Sequence, residues 1–172
     1  MSEIQEGKKL KRYPKPVQYV PKNLSKYIGN YNNIWLRSSW EIKFARWCDV
    51  NPAVLKWSSE TVVIPYLSVS DTDQDGVPKM RNYYMDFFIH YRTSKGTTNK
   101  LLIEIKPYAQ TIQPKRRGRK KLETFLNETK TFQVNSDKWD AAKKYAKNMG
   151  WGFKIMTEYE LYPEWARKGR PQ

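Results

Sequence analysis

Three residues, Asp86, Glu104 and Lys106, have the types and spacing that suit metal-assisted hydrolysis of a phosphodiester. Glu104 and Lys106 stand two apart in the segment LLIEIK. Side chains alternate across a strand, so both project from one face, about 7 Å apart. Leu101, Ile103 and Ile105 line the opposite face. Pro107 keeps Lys106 extended and so preserves this geometry at the strand end. Alone, an E-x-K pattern is common, and an ordinary cross-face ion pair explains it as well. Asp86 shifts the balance. It lies in RNYYMDFFIHY, among almost wholly aromatic and apolar neighbours. A carboxylate there is costly to bury unless a cation or hydrogen-bond donors compensate. If this strand pairs beside LLIEIK, Asp86 meets Glu104 and the two can hold Mg²⁺, with Mn²⁺ as a substitute. Hard cations take oxygen ligands, often one or two carboxylates with waters and substrate phosphate. Lys106 would orient or deprotonate the attacking water and stabilise the phosphorane charge, while the metal lowers the water's pKa. Glu41 is a fourth candidate. In Ser38-x-x-Glu41 it has the place of a capping-box glutamate, a role compatible with facing the sheet and a metal.

Composition narrows the field around these residues. The chain has 172 residues, suited to one domain plus a tail, and 32 Lys+Arg against 17 Asp+Glu give a net charge of +15. Such a charge attracts polyanions, and nucleic acid is the expected partner. A membrane role is not expected. No apolar run approaches the roughly 20 residues needed to span a bilayer. The opening MSEIQEGKKLKRYPKP lacks the apolar core of a signal peptide. Cys48 is the only cysteine, so no intramolecular disulfide can form and the cytoplasm is the expected location. One Cys and one His, His90, also exclude a single-chain structural zinc finger. A Ser-His-Asp or Cys-His relay could run only through His90, so for chemistry on nucleic acid carboxylates and a metal are the expected tools.

The elements that must position these groups read as follows. Residues 1–30 form a basic arm with Lys8, Lys9, Lys11, Arg12, Lys15, Lys22 and Lys26, interrupted by Pro14, Pro16 and Pro21. Tyr13, Tyr19, Val20 and Tyr27 can pack it down, and the arm can contact phosphates. Residues 31–172 form the domain. A helix is expected at about 38–50, with Trp40, Phe44, Trp47 and Cys48 as its buried face and Asn51-Pro52 as its end. Residues 54–58 and 61–66 read as short strands, 71–78 as a turn region, 81–91 as one continuous strand, and 101–106 as another. The run 114–121, PKRRGRKK, reads as a basic loop. A helical stretch at 122–129 is followed by a second helix at 136–148, capped by Ser136 and stopped by Gly150, and then a last strand at 151–156. This order predicts an α/β sandwich with a mixed sheet flanked by helices.

Other features weigh less. Asp71-x-Asp73-x-Asp75-Gly76 imitates the start of a calcium loop, but position twelve is Asn82 and no helices flank it. Asp75-Gly76 reads better as a hairpin turn. His90 lies about 13 Å along the strand from Asp86, too far to share its ion. Lys115, Arg116, Arg117, Arg119, Lys120 and Lys121 follow the candidate site closely and read as a clamp on a DNA backbone. Trp40, Trp47, Trp139 and Trp151 read as core rather than stacking platforms.

Asp86 followed by Glu104-Ile-Lys106 resembles the PD-(D/E)xK nucleases, with Glu41 matching the helix-borne acid of many members. More specifically, RSSWEIKFARWCDVNPAVLKWSSETVVIPY, YYMDF, LIEIKP and TFQVNSDKWDAAKKYAKNMGWGFKIMTE resemble the head completion nucleases of T4-type bacteriophages. More distantly, the chain is similar to the endonuclease subunit of Tn7-type transposases. The resemblance spans residues 31–162. It implies a restriction-endonuclease-like fold, Asp86, Glu104 and Glu41 as metal ligands, and Lys106 as the catalytic lysine. It further implies a Mg²⁺-dependent DNA endonuclease acting in phage head completion, with DNA and portal or capsid proteins as partners, in the host cytoplasm and associated with the virion. Met85 stands where a proline usually precedes the aspartate. That proline shapes backbone and does not touch metal, so the site is expected to survive. The alternatives are a non-catalytic DNA- or portal-binding head completion protein with a relic nuclease fold, and a restriction or repair nuclease.

Overall fold

Residues 15–116 and 118–166 are described by a computed structural model of the chain. Its first strands, β1 (Val17–Gln18) and β2 (Trp35–Leu36), pair antiparallel. Helix α1 (Ser39–Val50) begins at Ser38, whose hydroxyl accepts the Glu41 N–H as the residue types foretell. Phe44, Ala45 and Cys48 form its buried stripe. Trp47 is 45% exposed, so it does not join the core face expected of it; it lies stacked on Phe44 at the edge of that stripe.

Strand β3 (Val54–Ser59) leads into a hairpin of β4 (Val63–Thr72) and β5 (Pro78–Tyr84). β4 is longer than the short strand expected at 61–66, because cross-strand pairing with β5 carries its alternating pattern on to Thr72. The hairpin tip is made as the Asp-Gly signal predicts. Asp73 accepts the N–H groups of Asp75 and Val77, and Gly76 takes φ +77°. Asp71 is ion-paired to Arg81, so the acidic run has structural employment.

β6 (Phe87–Arg92) and β7 (Thr98–Ile105) continue the chain, followed by α2 (Leu122–Met149), β8 (Gly152–Met156) and two short helices, α3 (Glu158–Leu161) and α4 (Pro163–Ala166). The main sheet has the order β3-β6-β7-β8. β7 and β8 are parallel; the other pairings are antiparallel. It is the mixed sheet flanked by helices that the element order foretells.

Two corrections bear on the site. The stretch 81–91 is not one strand. It breaks at Met85 and Asp86, where the chain leaves the hairpin for the main sheet. Met85 donates its N–H to Val62 and accepts the Glu60 N–H, which pins the corner. The two helices expected at 122–129 and 136–148 are one helix of 28 residues. No Pro or Gly interrupts 122–149, Phe132 and Asn135 turn inward, and Ser136 lies mid-helix instead of capping. Gly150 ends the helix at φ +68°, as expected.

The sheet separates two cores. On one face Tyr27, Leu36, Phe44, Trp57, Phe87, Ile103 and Ile105 pack with α1. On the other, Ile64, Tyr66, Tyr83, Met85, Leu102 and Trp139 pack between the hairpin and α2. Each large apolar side chain so buried contributes about 1.5–3 kcal/mol. β7 alternates between these cores: Ile103 and Ile105 face one, Leu102 the other.

Residues 15–30, the described part of the basic arm, are docked on the domain. Tyr27 is buried and bridges to Trp57. The wholly buried Asp49 carboxylate accepts the N–H groups of Lys22 at 2.6 Å and Asn23 at 2.9 Å. Tyr19 also reaches it, and burial together with Asp49 pushes that phenol up to about 12. Lys8, Lys9, Lys11, Arg12, Tyr13 and Pro14 lie outside the described residues.

Candidate active site

Glu104 and Asp86 meet across two adjacent strands. β6 pairs with β7 in a register that sets Phe87 opposite Ile103, so Asp86, one step before β6, comes opposite Glu104. Asp86 Oδ2 accepts the Ile105 N–H at 2.7 Å. Part of the residue's surface stays exposed, yet its carboxylate is enclosed. Burial holds its pKa well above the usual carboxylate range; Glu104 adds to this, while Lys106 and the Ile105 N–H oppose it.

Glu104 is 2% exposed. Its Oε1 lies 2.8 Å from Lys106 Nζ, so the two side chains share a face. Its Oε2 is buried with no hydrogen-bond partner among the described residues. Burial works against the Lys106 charge, but Glu104 and then Asp86 more than counter it, and the ammonium titrates above the ordinary lysine range. Lys106 is thus a held cation at neutral pH.

The family model described as TnsA-like endonuclease N terminal matches residues 51–158, the stretch from β3 to β8 that carries Asp86, Glu104 and Lys106. The chain belongs to the TnsA-like endonuclease family. It is also 40% identical over 144 residues to the head completion nuclease of Enterobacteria phage T4, covering 82% of this chain and 89% of that protein. The restriction-endonuclease-like fold expected from the resemblance is the fold of this TnsA-like domain.

Glu41, which lies before the matched stretch in α1, stands differently from the other candidates. Its charge is felt at both Asp86 and Lys106. Both its oxygens are engaged at the helix start, however: Oε1 accepts from the Ser38 hydroxyl at 2.7 Å and Oε2 from the Arg37 N–H at 2.8 Å. Among the described residues no three His, Cys, Asp or Glu side chains converge closely enough to hold an ion. The arrangement offers two carboxylates and a lysine, with Glu41 nearby on the capping duty its spacing foretells.

A Mg²⁺-type site with two carboxylates fits these residues. Glu104 Oε2 is a buried carboxylate oxygen that lacks a hydrogen-bond partner among the described residues, and Asp86 keeps Oδ1 outside its bond to Ile105. Mg²⁺ characteristically takes one or two carboxylates and completes its shell with water and phosphate.

The departure at Met85 is absorbed locally. Met85 is 1% exposed and donates its N–H to Val62 O at 3.0 Å, a bond that proline at this position lacks the hydrogen to make.

The basic run lies on the surface after β7. Lys115, Arg116, Arg119 and Lys121 are exposed, Lys120 is half-buried and ion-paired to Glu128, and Arg117 lies outside the described residues. Beside the run, a groove of about 860 Å³ opens between the segment after β7 and the first half of α2, lined in part by Gln110, Gln113, Lys115, Lys120, Thr124 and Asn127. His90 sits in β6 opposite Lys56 and Lys100, away from the carboxylates along the strand.

Three residues near the site escape the sequence reading. Tyr83 is 4% exposed and turns its hydroxyl toward Glu104. Glu60, in the phrase Trp57-Ser58-Ser59-Glu60, is the one non-glycine with positive φ among the described residues, at +54°. Its N–H holds the Met85 carbonyl, and its carboxylate pairs with Arg37. Glu158 accepts the Tyr108 N–H at 2.7 Å and so fixes the chain just beyond Lys106 and Pro107. Tyr83 is hidden from a reading of the sequence because one continuous strand puts residues 83 and 86 on opposite faces. The corner at Met85 brings both to the same place.

Proposed function

We propose that the chain is a Mg²⁺-dependent DNA endonuclease of the PD-(D/E)xK type, able to use Mn²⁺, that acts in phage head completion. The observation that carries this reading is the meeting of Asp86 and Glu104 across β6 and β7 with Lys106 held on Glu104 at 2.8 Å. Asp86 and Glu104 would hold the ion, with Glu41 approaching only if it leaves its cap. When bound, such an ion lowers the pKa of water and neutralises charge on phosphate.

The chain's own residues supply the rest. Without metal, Glu104 and then Asp86 hold Lys106 as a cation that can donate hydrogen bonds to water and to developing negative charge. With an ion on those carboxylates, Lys106 would orient or deprotonate the attacking water. The enclosed Asp86 carboxylate keeps a proton at pH values where most carboxylates have lost theirs, and a divalent cation would displace that proton. Lys115, Arg116, Arg117, Arg119, Lys120 and Lys121 supply sequence-independent affinity for the DNA backbone. The assembly role rests on the similarity to a protein named head completion nuclease, and portal or capsid proteins are its partners on this reading. Its place of action is then the host cytoplasm and the virion. Residues 1–30 add a basic arm to the domain at 31–172.

Incubating the purified chain with supercoiled and linear DNA in Mg²⁺ and in EDTA, beside Glu104→Ala and Lys106→Ala, tests the reading. Metal-dependent cutting that disappears in both variants is expected. DNA binding without cutting in Mg²⁺ or Mn²⁺ would favour the non-catalytic head completion role. Cutting that survives both substitutions would move the chemistry elsewhere.

A further inference from the structure

Two buried polar atoms of neighbouring side chains, on Tyr83 and Glu104, have no hydrogen-bond partner among the described residues. They are Tyr83 Oη and Glu104 Oε2, although Tyr83 is 4% and Glu104 2% exposed. Leaving either group unpaired incurs its full desolvation penalty, and native proteins rarely do so twice in one spot without a use for the pair. Tyr83 is firmly placed. It projects inward from β5 opposite Ile64, its ring packs edge-on against Tyr66 at 6.4 Å, and Lys138 Nζ stands 5.7 Å over the ring. Only the hydroxyl is left with freedom to choose a partner. Glu104 has half of its carboxylate fixed by Lys106 and the other half open.

We propose that Tyr83 is a positioning residue of the metal site: its hydroxyl, seated beside Glu104, fixes the orientation in which Oε2 is offered to a divalent cation. A phenol hydroxyl carries one O–H, and toward a carboxylate oxygen it is the donor. Lys106 already fixes Oε1 at 2.8 Å, and a bond from the Tyr83 hydroxyl to Oε2 would fix the carboxylate from a second direction. Groups that orient metal ligands in this way typically contribute 10- to 100-fold to metal affinity. The proposal rests on the nuclease reading, because it needs Glu104 to be a ligand.

The test is a calorimetric Mn²⁺ titration of the full chain, wild type against Tyr83→Phe, with Tyr66→Phe as a control in the same layer. Phenylalanine keeps the ring packing, so metal-free Tyr83→Phe should melt close to wild type. Its Mn²⁺ affinity should fall roughly 10- to 100-fold while Tyr66→Phe is unaffected. Wild-type affinity in a folded Tyr83→Phe overturns the proposal and leaves the nuclease reading standing. Wild type that binds no Mn²⁺ and cuts no DNA removes both. Should Tyr83→Phe fail to fold, the ring signals of Tyr83 in isotopically labelled wild type are followed during a Mg²⁺ titration. A shift at saturation supports the contact, and unmoved signals while Mg²⁺ binds overturn it.

Discussion

Asp86 Oδ2 accepts the backbone N–H of Ile105 at 2.7 Å, and this bond ties the corner between β5 and β6 to the strand that carries Glu104. It joins residues 19 apart in sequence and sets two carboxylates side by side in a poorly solvated place. That arrangement opposes stability in the metal-free protein and favours a cation, so stability and function should separate on substitution.

Asp86→Asn keeps an oxygen for the Ile105 N–H and removes the charge. A carboxyl whose folded pKa is raised stabilises the fold fully below its unfolded value, and that contribution disappears as pH rises through the folded value. Metal-free wild type should therefore lose stability from about pH 4 upward relative to Asp86→Asn. At pH 7 the variant should melt on the order of 2–4 °C higher in EDTA, the worth of roughly 1 kcal/mol in a chain of this size, yet cut no DNA. Thermal unfolding across pH checks this; a variant less stable than wild type at pH 7 would refute it.

Divalent metal should reverse the same pH trend. Because the ion competes with the Asp86 proton, Mg²⁺ affinity should rise with pH until that proton is gone. Proton release measured by calorimetry in buffers of different ionisation enthalpy gives the count directly. Binding that releases no proton below the raised Asp86 value would show that the ion sits elsewhere.

Lys106→Met strips Glu104 of its cation and leaves a buried carboxylate uncompensated. Lys106 is 27% exposed at its side chain, so part of the effect is screened, and a destabilisation of about 2–3 kcal/mol is expected in urea denaturation. Adding Glu104→Gln should restore most of that stability while both variants remain inactive. A double variant no more stable than the single one would mean that the pair is not the source of the effect.

Replacing Lys115, Arg116, Arg119 and Lys121 together by Ala should weaken DNA binding without altering stability, since all four are exposed. The slope of log affinity against log salt should become shallower by up to about 0.9 for each DNA phosphate that is no longer neutralised. An unchanged slope would assign backbone binding to another surface.

Asp49→Ala should free the arm from α1. Four groups from residues 19–23 converge on Asp49: the Tyr19 hydroxyl, the Lys22 and Asn23 N–H groups and the Asn23 side chain on its carbonyl. Removing the carboxylate orphans the two part-buried N–H groups, at about 1–3 kcal/mol each at most. Limited proteolysis should then cut within 15–30 sooner than in wild type; equal protection would show that Tyr27 and β1 suffice to hold the arm.

By itself the sequence determined the chemistry available and most of the elements that carry it. Scarcity of Cys and His narrows the expected chemistry to carboxylates and lysine acting with a metal. Alternation in LLIEIK placed Glu104 and Lys106 on one face, and strand geometry needs no tertiary contact to do so. Ser38, Gly76 and Gly150 marked their cap and turns because capping and positive φ are local properties. Tertiary structure decided what depends on neighbours distant in sequence. The run 81–91 is rich in aromatics from end to end, and only docking of Met85 against Val62 and Glu60 decides that it turns a corner there. That corner turns Asp86 onto Ile105 and carries Tyr83 to Glu104. The 28-residue helix likewise forms as one piece because the hairpin and sheet bury Phe132, Asn135 and Trp139 along its length, which periodicity in 130–135 does not reveal. Local preferences set the residues and their faces; burial against remote partners set which of those faces meet.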